Sequence, residues 1–409
     1  MRIAIIGTGI AGLGAAHRLR DAVDLTLFEA NDWVGGHTHT VDVALSTDES
    51  VPVDTGFIVY NESTYPLLTK LFADLHVATE PSDMSFSVRG PAGEYEGSAR
   101  GMFVDPRALV DPSHWAMIRD ILAFNRRVNE VDLDQLPPGL TLGAFTADLS
   151  QSFQQRYLLP MGAAIWSTPA NEMFDYPADT LVRFFRNHGL AQLRDRPAWR
   201  TVTGGSRTYV EALTKPFCDR IRLKTPVQEI RRGADGVDVV TPAGIERFDG
   251  VLLATHADTS LKILNGWSSP AEQNLLSNFR YARNEAVLHT DPSLMPASKR
   301  AWASWNVVQR DPFADPSLTY WMNRLQNLET SKPVFVTLNP DRMPGQVHGS
   351  WMYDHPMFDA RAVEAQRHLS DLQGSDRVWF AGAYFRYGFH EDGLMAGYAA
   401  ADSILQSCG

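Results

Sequence analysis

Residues 2–30 read RIAIIGTGIAGLGAAHRLRDAVDLTLFEA, and the order of features in this stretch decides the fold. Arg2 to Ile6 form a short apolar, β-rich run, after which Gly7, Gly9 and Gly12 take the G-x-G-x-x-G spacing. The first glycine permits a tight turn, the second lets a pyrophosphate approach the backbone, and the third lets the following helix pack closely on the strand. A helix from Ala11 to about Arg20 then leads to a second strand, DLTLFEA, which ends in Glu29, about 20 residues past the glycines. The free amides of Gly9, Ile10, Ala11 and Gly12 and the positive end of the helix dipole are placed to face phosphates. A carboxylate at Glu29 accepts from a ribose 2'-hydroxyl and repels a 2'-phosphate, so FAD or NAD fits and NADP does not.

The bulk numbers frame that element. With 409 residues the chain exceeds one ordinary core, so two domains, or one domain with a large insertion, are expected. A net charge of -11 and the absence of long Lys/Arg runs exclude a duplex nucleic-acid partner. Cys218 and Cys408 are too few and too far apart for a cysteine zinc site. The N-terminal apolar run is broken by glycines, and no run of about 20 apolar residues occurs elsewhere. The expectation is a cytoplasmic protein without a transmembrane segment, for which peripheral membrane contact stays open.

Downstream, residues 28–40 read FEANDWVGGHTHT. His37 and His39 are two apart, a spacing that on a strand points both imidazoles to one side and suggests a metal. No carboxylate joins them at ligand spacing, and Asp42 has the opposite parity, so no metal is expected. The Gly35-Gly36 pair instead follows the ribose acid at a spacing that resembles flavoproteins of the monoamine oxidase, phytoene desaturase and protoporphyrinogen oxidase superfamily. Where that family usually carries arginine, this chain has His37. The resemblance implies FAD, held without a covalent bond because neither cysteine is in the C-terminal motif, with Ala30, Gly35, Gly36, His37 and Thr38 beside it.

Other pieces follow in the family's order. VDTGFIVYN resembles the turn beneath the isoalloxazine, implying contacts from Gly56, Phe57 and Ile58. TVTGGSRTYVEAL looks like the glycine turn and helix by which these chains return to the cofactor. Val227, Ala254 and Thr255 correspond to positions near the adenine. VWFAGAYFRYGFHEDGLMAG resembles the C-terminal flavin motif, implying Gly382, Glu391, Gly393 and Leu394 at the cofactor, Gly393 and Leu394 opening a helix whose amides face the flavin. The signatures GGHTHT, DTGFIVYN and GFHEDGL are similar to a bacterial subgroup often encoded near fatty-acyl cyclopropane synthase-type methyltransferases.

The fold class expected is thus α/β (α+β overall): a Rossmann-like FAD-binding domain of the glutathione reductase/amine oxidase type, with an inserted substrate domain of antiparallel sheet plus helices. Residues 1–65, 196–265 and 366–409 are assigned to the first, 66–195 and 266–365 to the second. In the insert, Trp115, Ile118, Ile121 and Leu122 repeat at helical spacing, and Pro160 and Pro169 are expected to break the chain. Candidate substrate contacts are Tyr60, Trp166, Trp305, Asn306, Tyr320, Trp321 and Asn323; Tyr60, His289 and Tyr320 are the catalytic candidates, and His256 and His390 further possible bases. One dinucleotide fingerprint is present, so oxygen or a separate carrier is the expected electron acceptor. The implied activity is hydride removal from a carbon-carbon or carbon-nitrogen bond of a hydrophobic substrate, with fatty-acyl or lipid desaturation preferred, amine oxidation next and redox-neutral lipid isomerisation a further alternative.

Overall fold

In the computed structural model, which describes residues 1–137, 139–166, 172–192, 196–311 and 317–407, apolar runs from distant parts of the chain meet side by side. Arg2–Ile6 pairs in parallel with Asp24–Phe28 on one edge and Gly250–Leu253 on the other. Ile221–Arg222 and Val378–Phe380 complete a five-stranded parallel sheet. Ile3, Ile5, Leu27, Leu252 and Phe380 are fully buried, as expected of strands covered on both faces. Over one face the Ile10–Leu19 helix packs against His390–Ser407. Glycine permits that approach: a Cβ on Gly397 would collide with the Ala11 backbone, and one on Gly14 would sit 2.6 Å from Leu394.

A second sheet has seven strands, in the order Val347–Met357, Arg280–His289, Phe335–Leu338, Ser317–Trp321, Trp305–Val308, Phe86–Gly90 and Gly93–Glu96. Its pairs are antiparallel except Trp305–Val308 with Phe86–Gly90, which run parallel, a departure from the purely antiparallel expectation. Side-chain alternation divides it. Phe86, Trp305 and Tyr320 stand opposite one another in register. One residue along, Ser87, Asn306, Thr319 and Thr337 form a fully buried polar row. Ser87 donates to Asn306 Oδ1 (2.8 Å), Asn306 Nδ2 to the Thr319 carbonyl (3.1 Å), and Thr337 joins Thr319 (2.9 Å) to His289 Nε2 (2.8 Å).

Two local expectations are corrected. Pro160 does not break the chain: Gln154–Leu158 forms a π-helical turn that runs into the Leu159–Trp166 helix. The widened turn relieves the clash between a proline ring and the carbonyl one turn back. Pro169 lies outside the described residues. In Pro112–Glu130 the buried face is Met117, Ile121, Phe124 and Val128, whereas Trp115 and Leu122 are about half exposed. The i, i+4, i+7, i+11 series was the one that faces the core.

The ribbon Thr40–Ala44 with Ser50–Asp54 is fastened through Asp54, which is fully buried. Its carboxylate accepts from Thr40 Oγ1 (2.5 Å), from the amide and hydroxyl of Ser206 (3.0 and 2.7 Å) and from Gln326 Nε2 (2.8 Å). Burial pushes this carboxyl up to about 6, against the pull of those donors. Among the described residues no helix is long and apolar enough to cross a membrane.

Candidate active site

One cavity of about 660 Å³ runs from the glycine loop to the aromatic face of the seven-stranded sheet. At its first end lie Gly7, Gly9, Ile10, Ala11, Glu29, Gly35, Gly36, His37, Gly56, Phe57, Ile58, Ala254, Thr255, Gly382 and Gly393. The Ile10–Leu19 helix opens there without a side-chain cap or an acidic residue in its first turn, so its amides are free for an anion. A Cβ on Gly9 would meet no protein atom within 4 Å, whereas on Gly7 it would lie 2.6 Å from the Ala254 carbonyl. The Gly35 amide donates to the Thr8 carbonyl (3.0 Å), bringing the Gly-Gly pair against the loop. Glu29 accepts from the Thr8 amide (3.0 Å), the Thr8 hydroxyl (2.6 Å) and the Asn31 amide (2.9 Å). A carboxylate has about four lone-pair directions, so one remains for a ribose hydroxyl. These residues fit a dinucleotide.

Histidines converge beside this cradle. The His37 ring lies 5.1 Å from Tyr353, 5.5 Å from His355 and 6.0 Å from His256. It lines the cavity and is partly accessible, while Nε2 itself is buried without a hydrogen-bond partner. Burial drives its pKa well below the ordinary imidazole value, and His355, His256 and His390 push the same way; a bond to the Asp354 backbone opposes them. His39 turns elsewhere, stacking on Trp33 at 4.4 Å and bonding Tyr353 Oη through Nδ1 (2.9 Å). Among the described residues no group of three or more His, Cys, Asp or Glu is placed to hold a metal. His355, Tyr353 and Asp354 were missed by sequence reasoning: they lie more than 300 residues from His37, and only the strand Val347–Met357 brings them in.

At the far end, Phe86, Trp305 and Tyr320 line the cavity, Trp305 meeting Tyr320 edge to face at 4.9 Å, with Trp305 Nε1 unpartnered. Burial keeps the Tyr320 phenol protonated far above its usual range. Several other candidates are not in this wall. Asn306 belongs to the polar row on the opposite face, and Asn323 is consumed by Leu328, Thr330, Val334 and Trp321. Trp321 packs on Trp302. Tyr60 is core, edge-on to Phe72 at 5.2 Å. His289, bound to Thr337 and the Asp291 amide, is fully buried away from the cavity, which pushes it down to about 4. The Trp166 side chain lies outside the described residues. Of the possible bases, His390 reaches the cavity but is stacked on Phe57 at 3.9 Å, tied to Tyr209 Oη at 2.5 Å and pushed by burial to about 3; His256 stacks on Tyr281 at 4.4 Å. Arg196, not anticipated from sequence, is exposed at the rim and is the only Arg or Lys among the described lining residues.

Six residues expected at the cofactor do not line the cavity. Gly12 is a packing glycine, since a Cβ would collide with the Gly7 carbonyl; Ala30 is exposed, and Val227 packs half-buried on the core. Thr38 Oγ1 is bound to Tyr209 Oη (2.6 Å), and Leu394 is buried against Gly14. Glu391 accepts from the Leu67 and Leu68 amides (2.8 and 2.9 Å), capping the Pro66–Asp74 helix, which has no side-chain cap of its own. Glu391→Ala should therefore lower stability by about 2–3 kcal/mol, the cost of orphaning two amides, with flavin content unchanged. Thermal melts beside flavin absorbance check this; lost flavin at an unchanged melting temperature would return Glu391 to the cofactor.

A parallel sheet with the glycine loop, a buried acid just past its second strand and a cavity continuing under a second sheet are the setting of a flavin-dependent oxidoreductase with FAD as cofactor. Residues 10–291 match the family of flavin containing amine oxidoreductases, and the chain belongs to that family. Its fold is similar to cyclohexylamine oxidase from Brevibacterium oxydans, with a TM-score of 0.74, 18% identity and coverage of 100% of this chain and 99% of that one. It is also similar to the CLA-producing fatty acid isomerase from P. acnes, with a TM-score of 0.69, 15% identity and coverage of 99% and 98%.

Proposed function

We propose that this enzyme oxidises an apolar chain bearing an anionic head, of the fatty-acyl class, at a carbon-carbon bond. The observation that carries the reading is the cavity's far half: Met84, Phe86, Met161, Ile165 and Trp305 surround an uncharged space, and Arg196 stands at its rim. An arginine there attracts a carboxylate and repels an alkylammonium. FAD, when bound, supplies the two-electron acceptor, and oxygen or a separate carrier takes the electrons onward. The chain's own part is to align the substrate along the aromatic row, exclude water with that wall and hold Tyr320 as a neutral phenol. The loop amides and the Gly35-Gly36 pair hold the cofactor, and Glu29 its ribose. Oxidation of an uncharged amine is the second reading, favoured by the family assignment.

Anaerobic mixing of the holoenzyme with fatty-acyl carboxylates and with alkylamines tests this. The acyl compounds should bleach the flavin band near about 450 nm. Arg196→Glu should raise KM for them about tenfold or more with little change in kcat, as expected for a group that binds the head and takes no part in the reaction. Bleaching by amines alone would overturn the reading, and acyl turnover without bleaching or an acceptor would make the enzyme an isomerase.

A further inference from the structure

We infer that the outward face of the Pro112–Glu130 helix, together with the Leu109-Val110 turn beside it, docks on an anionic lipid bilayer. These residues stand outside the cavity, so the docking holds or fails whatever the substrate.

The apolar part comes first. Among the described residues eleven large apolar side chains are exposed, and four of them fall between Leu109 and Leu122. Val110 is 84% exposed and Leu109 56%. Trp115 joins them, its Nε1 donating to the Leu109 carbonyl at 3.1 Å and its ring 5.2 Å from Phe103. Along the helix Trp115, Ile118 and Leu122 follow at i, i+3 and i+7 and share one face. The core takes Met117, Ile121, Phe124 and Val128, so the helix carries a second apolar stripe that the fold leaves in water. Apolar residues exposed singly are ordinary, but a contiguous group marks a contact surface.

Charge selects the partner. The chain carries a net charge of -11, yet residues 98–127 hold five arginines and three aspartates. Arg100, Arg107, Arg119 and Arg126 are exposed, and none of the three aspartates is. Asp105 and Asp120 sit behind the guanidinium groups of Arg107 and Arg119, bound to them at 2.7 and 2.8 Å. Asp111 accepts from Ser113 and Arg156, and Asp148 from Arg127. An apolar crest rimmed by arginines matches a membrane with negative headgroups: Leu109, Val110, Trp115 and Leu122 enter the acyl boundary while the guanidinium groups stay with the phosphates. A second copy of the chain meeting this face about a two-fold axis would set the same arginines against one another.

Position agrees. Arg156, bonded to Asp111 and Ser113 at the helix start (3.4 and 3.3 Å), precedes Tyr157, which lines the cavity. At the other end Asn129 Nδ2 donates to the Ala191 carbonyl (3.1 Å), next to the lining residue Leu190 and close in sequence to Arg196 at the rim. The helix thus flanks the substrate end of the cavity, and docking by its outward face sets the rim beside the bilayer.

The test is co-sedimentation of the full-length holoprotein with vesicles of phosphatidylcholine alone and of phosphatidylcholine with about one third phosphatidylglycerol. The protein should bind the anionic vesicles about tenfold more strongly than the neutral ones and be released by high salt. Val110→Asp and Arg126→Glu should each weaken binding about tenfold while keeping flavin content and melting temperature, since both side chains are exposed. Ile245→Asp, at a residue as exposed as Leu109 but on the 236–241/244–248 hairpin, should bind like the parent. No sedimentation, equal binding to both vesicles, or an equal loss in Ile245→Asp would overturn the inference. So would a parent dimer that Val110→Asp separates, without lipid binding, which would give the face to a second copy of the chain.

Discussion

Gly9→Glu should give a folded, colourless protein. Gly9 has φ −67° and ψ 175°, a conformation open to any residue, and a Cβ there meets no protein atom within 4 Å. The fold therefore accepts the side chain, but its carboxylate projects into the cradle where loop amides and the helix end await an anion. An unpaired like charge at that point should weaken FAD binding about 1000-fold or more, about 4 kcal/mol. Purified Gly9→Glu should lack flavin absorbance and keep the circular dichroism of the parent. Retention of stoichiometric FAD would sink the assignment of this loop. Gly12→Ala makes the contrast, because its Cβ collides with the Gly7 carbonyl and the fold itself should suffer.

The second large effect is acid unfolding that begins above the carboxylate range. His188, His289 and His355 are pushed by burial to about 4, and His390 to about 3, against 6.5 for a free imidazole. A base whose pKa is lower in the folded state is unprotonated in the fold and protonated in the unfolded chain below 6.5. Its contribution to stability is complete above 6.5 and is lost as pH falls toward about 4, at up to about 1.4 kcal/mol per pH unit for each group. Asp54 and Asp392 act oppositely: burial raises both to about 6, so each favours the fold as pH falls from 6 toward 3.8. Four histidines outweigh two carboxyls, leaving a net loss of up to about 3 kcal/mol per pH unit, large beside the stability of a typical domain. The melting temperature should fall steeply between pH 6.5 and 4.5, and His289→Gln, remote from the cavity, should soften the slope. A flat profile over that window would refute the balance.

Legibility from sequence followed the range of the interactions. The glycine loop, Glu29 and the Gly35-Gly36 pair lie within 30 residues, and local backbone requirements such as φ +100° at Gly7 and +123° at Gly35 leave a mark in residue type. What failed was nonlocal. Asn306 and Trp305 are neighbours in sequence, and only strand parity decides that one faces the cavity and the other the interior. Glu391 looked like a residue of the flavin helix, yet its partners are the Leu67 and Leu68 amides, 324 and 323 residues away. His355 and Arg196 belong to no local pattern at all.

The two faces of the seven-stranded sheet carry separate duties, and this has a consequence for how the enzyme can diversify. The buried row Ser87, Asn306, Thr319, Thr337 and His289 ties five strands together by side-chain hydrogen bonds, and a slip of one residue would turn that row into the cavity and bury the aromatic residues in its place. Register is thereby insured by residues that do not line the cavity. Phe86, Trp305 and Tyr320 are left free to be exchanged for larger, smaller or more polar side chains without loosening the strands that carry them. New substrate ranges are then reachable by single substitutions on one surface of a scaffold whose geometry is held from behind.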